Sequence, residues 1–163
     1  MDRRTATFRT GVALLAMAFS TLPDTDNFAQ SDPWIGSWQL NLAKSTYDPG
    51  PPPRSQSAKV EGTGENRKET LAGVDAAGNA FTQVYVFIHD GQPHPVTGVP
   101  AWDSVIYTPV DNYTVNWTLT KVGKPVRVGT DTVSPDGTTF SIMSTGVDAD
   151  GRPFKIIAVF ERH

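Results

Sequence analysis

The sequence predicts an all-β fold, an antiparallel meander of eight to nine strands closed into a barrel. Runs rich in Val, Ile, Thr, Tyr, Phe and Trp recur from Trp34 onward at the spacing of roughly 8–12 residues expected of consecutive short strands. The clusters between them are short and turn-forming, such as Asp75-Ala76-Ala77-Gly78-Asn79, His89-Asp90-Gly91, Val122-Gly123 and Ser134-Pro135-Asp136-Gly137. Connections this short join antiparallel neighbours, because a parallel crossover needs about a dozen residues. No stretch carries convincing 3.6-residue periodicity. Two runs also show aromatic side chains at alternate positions, as inward-facing residues of a barrel do. A two-sheet sandwich accommodates the same strand count, but closure removes the unpaired edges a meander otherwise leaves.

Taken in order, residues 1–30 read as a secretory leader and short linker, and residues 31–163 as the barrel domain. Arg3, Arg4 and Arg9 precede the uncharged run GVALLAMAFSTL, which ends at Pro23-Asp24. That run is shorter than the roughly 20 apolar residues of a membrane span. Cleavage after Ser20 and cleavage near Ala29-Gln30 both fit the small residues present. Strands are expected at residues 36–42, 55–61, 67–73, 81–89, 102–108, 113–121, 126–133, 139–147 and 154–162. Within the fourth, Phe81, Tyr85 and Phe87 share a face; within the sixth, Tyr113, Val115, Trp117 and Leu119 do. Residues 43–53 contain four prolines, which forbid a helix and favour a stiff, extended connector.

Composition narrows the function classes. A formal net charge of −3 leaves no basic footprint for nucleic acid or anionic lipid. The chain has no cysteine, so no disulfide, thiol-ligated metal, thiol nucleophile or lipoprotein anchor is expected. These features describe a soluble, secreted or periplasmic protein without a membrane anchor, whose stability comes from a hydrophobic core.

The stretch IGSWQLN opens the first strand with Gly36 and Trp38, and Arg162 stands in the last strand. This frame resembles the calycin superfamily of lipocalins and fatty-acid-binding proteins. Over nearly the whole mature chain, GSWQLNLAKSTYDPGPPP, DGQPHPVTGVPAWDSV, SPDGTTFSI and GRPFKIIAVFER look like small exported bacterial lipocalin-like proteins. The resemblance implies that Trp38 plugs one end of the barrel, that the Arg162 guanidinium packs over its ring, and that Gly36 lets the backbone pass close beneath. The proline-rich segment is too short for the two helices that fatty-acid-binding proteins insert there, and the disulfide of typical lipocalins is missing.

The residues suggest two sites. An apolar cavity with a few polar groups is how barrels hold small ligands, and Tyr85, Phe87, Trp102 and Trp117 are the candidate lining for a small hydrophobic or amphipathic molecule. Alternatively, His89, His94 and Asp103 form a polar cluster at the barrel mouth, as an acid/base enzyme site would require. A third reading is an envelope interaction module with a filled core. No nucleophile elbow, zinc-protease helix or phosphate-cradling glycine loop occurs, and no metal or cofactor is expected.

Overall fold

The computed structural model describes residues 32–63, 66–148 and 150–163. The expected leader, residues 1–30, lies outside the described residues. What is described is an antiparallel meander closed into a ten-stranded barrel, with one further short strand. The strands are β1 (Gly36–Leu40), β2 (Thr46–Asp48), β3 (Ser55–Thr63), β4 (Asn66–Val74), β5 (Ala80–Val86) and β6 (Pro93–Thr97), followed by β7 (Ser104–Pro109), β8 (Thr114–Lys121), β9 (Lys124–Val133), β10 (Thr139–Val147) and β11 (Pro153–Arg162). From β3 to β11 each strand pairs with its successor, β1 pairs with β3, and β1 closes the ring against β11.

Nine of the eleven strands fall on the expected runs; β2 and β6 are the additions. The residues of β6, Pro93-His94-Pro95-Val96-Thr97, read as an extended turn because proline cannot donate to a sheet ladder. The register shows how the prolines fit. Val96 donates its N–H to Asp103 at the edge of β7, so the nitrogens of Pro93 and Pro95 face the opposite neighbour, β5. There β6 pairs only at Val96 and Thr97, beyond both prolines.

Strand β2 lies inside the proline-rich connector. A single 3-10 turn over Leu42–Lys44, capped by the Asn41 side chain accepting from the Lys44 N–H, redirects the chain. It returns to β11, where Tyr47 pairs with Ile156. Strands β1 and β2 therefore occupy the same edge of β11 in succession, β1 at Phe160 to Arg162 and β2 at Lys155 to Ile157. The ten-residue length of β11 makes room for both.

Alternation places the core inside the barrel. Val115, Trp117 and Leu119 of β8 are all buried, as are Ala58 and Val60 of β3 and Ala158 and Phe160 of β11. The same phase also turns Glu69 and Asp131 inward, each at most 3 % exposed.

Candidate functional site: a cavity above an aromatic floor

One end of the barrel is closed by rings. Trp38 is 1 % exposed and packs against Phe140 at a ring separation of 5.6 Å. Arg162, its register partner on β11, holds its guanidinium 4.2 Å from the centre of the Trp38 ring. That group also donates to the carbonyls of Ile35 at 2.9 Å, of Pro33 at 3.0 Å, and of Gly137. Gly36 sits at φ +153°, and a Cβ there would come within 2.2 Å of the Arg162 Nη1 atom. Only glycine lets the first strand lie this close to the arginine.

Trp34 completes the floor, edge-on to Phe87 at 5.4 Å and to Phe140 at 6.1 Å, with its indole N–H donating to the Asn112 carbonyl at 3.0 Å. Beside it, Arg67 pairs with Asp32 at 3.1 Å and donates to His89 Nδ1 at 3.1 Å. Burial, reinforced by the Arg67 charge, lowers the His89 pKa to about 4, so the ring is neutral.

From this floor, a step of two residues along each strand leads into a cavity of about 200 Å³. From Phe87, just past β5, the step runs to Tyr85 and Gln83, on β4 from Arg67 to Glu69, and on β9 from Val133 to Asp131 and then, four residues on, Arg127. The second member of each series lines the cavity, as do Tyr47, Tyr107, Trp102 and Trp117. Its volume is well above the space one water molecule needs.

Leu71, Val105, Leu119, Ile142 and Ile156 make much of the lining apolar, and a set of polar and charged groups is placed among them. Trp117 donates its indole N–H to Asp131 at 2.6 Å, and the Tyr107 hydroxyl bonds the Glu69 carboxyl. Tyr85 donates to Gln83 at 2.7 Å. Arg127 donates to the Ser144 hydroxyl at 2.6 Å, and its guanidinium carbon lies 5.1–5.8 Å from the ring centres of Trp102, Trp117 and Phe154. Burial pushes the Glu69 carboxyl well above the usual range, and the nearby Asp131 charge adds to this. Burial also raises Asp131, although the Trp117 hydrogen bond and the Arg127 charge pull it back. The phenols of Tyr85 and Tyr107 are raised by burial and then by the Glu69 charge. Four buried polar atoms on lining residues have no hydrogen-bond partner: Tyr47 Oη, Glu69 Oε1, Trp102 Nε1 and Arg127 Nε.

Tyr85, Trp102 and Trp117 thus share one cavity. Phe87 does not line it; fully buried, it packs edge-on to Tyr107 at 4.7 Å in the floor. The alternation that puts Phe87 on the Tyr85 face is correct, but it does not say how far along the barrel axis a residue stands. His89, His94 and Asp103 each have separate partners. His89 belongs to the floor with Arg67, His94 bonds Asp90 at 2.9 Å, and Asp103 accepts from the Val122 N–H at 3.0 Å. Among the described residues, no group of three or more His, Asp or Glu side chains is placed to hold a metal ion.

Sequence reasoning missed Glu69, Arg127 and Asp131, and its candidate lining left out Tyr107 and Tyr47, two of the aromatics of the barrel domain. A signal for two of them was present, since Glu69 shares its strand face with Leu71 and Asp131 shares its face with Val133. Tyr47 carried no such signal, because β2 is a strand only through its pairing with β11.

No family model matches this chain, and no curated protein matches it. Among solved structures, the chain is similar to a redesigned β-barrel, mFAP1, bound to DFHBI, at 15 % identity and a TM-score of 0.38, over 80 % of this chain and 95 % of that one. It is also similar to a second redesigned barrel, mFAP0, bound to DFHBI, at 14 % identity and a TM-score of 0.36, over 80 % of this chain and 99 % of that one.

Proposed function

We propose that the protein is an exported, calycin-like barrel that holds a small amphipathic molecule in the cavity opposite Trp38. One observation carries this reading: a cavity of about 200 Å³ whose lining leaves four buried polar atoms unpartnered. Each such atom costs about 1–3 kcal/mol if it stays unpaired. A ligand that bonds to them recovers that loss on binding, while the faces of Tyr85, Trp102 and Trp117 take its apolar part. A purely hydrophobic guest would leave the four atoms as they are, which is why amphipathic is the preferred description. The calycin kinship is supported by Gly36, Trp38 and Arg162 meeting at the closed end. Export is supported by the basic and then apolar pattern of residues 1–22. The cavity argues against a filled interaction module, and the separate partners of His89, His94 and Asp103 argue against an enzyme site at that cluster.

Native mass spectrometry of the protein purified gently from its own host tests the reading. The expected spectrum shows the polypeptide with a retained small mass that leaves on denaturation, and a chain shortened at Ser20 or near Ala29. A bare polypeptide, together with unchanged Trp102 and Trp117 fluorescence across a panel of small aromatic compounds, would overturn the binding function. A full-length chain retained in the cytoplasm would overturn export.

A further inference from the structure

The charges in the cavity do not match the number of ion pairs. Arg127 is a buried guanidinium that donates to a neutral hydroxyl and is flanked by three rings; among the described residues no carboxylate lies within ion-pair distance of it. Two carboxyl groups, Glu69 and Asp131, face the same space. With both ionised the site carries one net negative charge, and with one ionised it is neutral. A low-dielectric interior favours the neutral arrangement. Asp131 accepts the Trp117 N–H and feels the Arg127 charge, so it is the ionised member and Glu69 keeps its proton. The other titratable groups turned toward the pair are Tyr47, Tyr85 and Tyr107. Their phenols are all raised above the ordinary range, so they stay neutral. Arg67, on the same strand as Glu69, is turned to Asp32 and His89.

In that state the four unpartnered atoms are a set of donors: the Arg127 Nε–H, the Trp102 indole N–H, the Tyr47 hydroxyl and the Glu69 carboxylic acid. Donors call for an acceptor, and the strongest acceptor is an anionic oxygen, whose hydrogen bonds are charge-assisted. An anion entering a neutral, buried site would make it negative. The nearest relief is protonation of Asp131, which leaves the guest paired with Arg127 alone.

We propose that the cavity binds a small planar acid through its anionic oxygen, at Arg127, Trp102, Tyr47 and Glu69, and takes up one proton on the Glu69 and Asp131 pair as it does so. No bond is made or broken apart from that proton transfer, which solvent supplies. The inference rests on the cavity being the ligand site, and it adds the chemistry of the guest and its coupling to pH.

Isothermal titration of the intact protein with benzoate, benzamide and benzamidinium tests it, each run in two buffers of different ionisation enthalpy. Benzoate is expected to bind best, with close to one proton taken up per molecule bound. Its affinity should fall about tenfold for each pH unit above neutrality. Benzamide should bind more weakly and without proton uptake. In the double variant Glu69→Gln with Asp131→Asn, the proton uptake and the pH dependence of benzoate binding should vanish; in Arg127→Met its advantage over benzamide should disappear. The proton count needs only the parent protein, so a variant that fails to fold leaves the test intact. Preference for benzamidinium, or benzoate binding without proton uptake, would overturn the inference. So would a retained native ligand alongside no benzoate binding, and that outcome would leave the binding function standing. Absence of any retained mass and of any binding would overturn both.

Discussion

At the scale of single residues, Trp38 and Gly36 are one mechanical unit. Trp38 is buried to 1 % exposure, and Arg162 holds the strand end by reaching three carbonyls while its flat face covers the indole. Replacing Trp38 by Ala should cost about 3–5 kcal/mol, the usual loss for a large buried aromatic. Gly36→Ala should cost about 1–3 kcal/mol, because its methyl group would displace the Arg162 guanidinium. Combined with Arg162→Ala, the Gly36 substitution should add less than its own cost, since the clash with the guanidinium is gone and the strain of a side chain at φ +153° remains. Urea denaturation of the four proteins measures each term, and full additivity would show that Gly36 and Arg162 act separately. Gly129 is a second close approach: a Cβ there would meet the Trp117 ring at 2.2 Å, so the indole lies flat over bare backbone and its N–H reaches Asp131.

At the scale of elements, the connections explain both the regularity and one flaw. Strands β8 and β9 are joined by Val122-Gly123, with Lys121 paired to Lys124 and both turn residues at positive φ, +50° and +72°. This is the hairpin geometry that Asn-Gly satisfies best, and a branched residue is poorly suited to the first position. Val122 is 82 % exposed and so gains nothing from packing in exchange. Val122→Asn should therefore raise stability by about 1 kcal/mol, the scale of the left-handed penalty. A shift of thermal midpoint upward with unchanged ligand binding is the expected result; no change would mean that the turn is not strained. The prolines of β6 are the opposite case, residues that look like strand breakers but fall where that strand is paired only with β7.

At the scale of the whole molecule, two buried sites make stability depend on pH with opposite signs. His89 has a folded pKa of about 4 against an ordinary 6.5. Its contribution is present above 6.5 and is lost as pH falls from there toward 4. Glu69 and Asp131 are raised by burial, so their contribution is present below the ordinary carboxylate range and is lost as pH rises through their folded values. Two carboxyls against one imidazole make the alkaline loss the larger, so stability should fall as pH rises from about 4.5 through neutrality, with the His89 loss a smaller acid limb beneath it. Glu69→Gln should remove part of the alkaline loss, about 1.4 kcal/mol for each unit by which that carboxyl is raised, and leave the acid limb alone. Denaturant midpoints taken from about pH 4 to about pH 9 would show it. An alkaline limb unchanged by the substitution would mean that Glu69 is not a source of the loss.

The sequence by itself determined the meander and the inward face of most strands. Two-residue alternation and turn-forming glycines are local properties, and a chain with nine such runs and short connections has few ways to hide its edges. The meeting of Gly36, Trp38 and Arg162 at the closed end was implied by a family resemblance, since the strand pattern says only that the first and last strands of a ring are neighbours. Only the tertiary structure decided depth and company. Whether Phe87 belongs to the floor or the cavity depends on strand stagger around the barrel, which no single strand encodes. Glu69 on β4 and the two residues Asp131 and Arg127 on β9 lie far apart in the chain, and the charge they enclose exists only once the ring has closed around them. Tyr47 joins them because β11 is long enough to receive a second strand on one edge, and that edge exists only after β1 has used part of it.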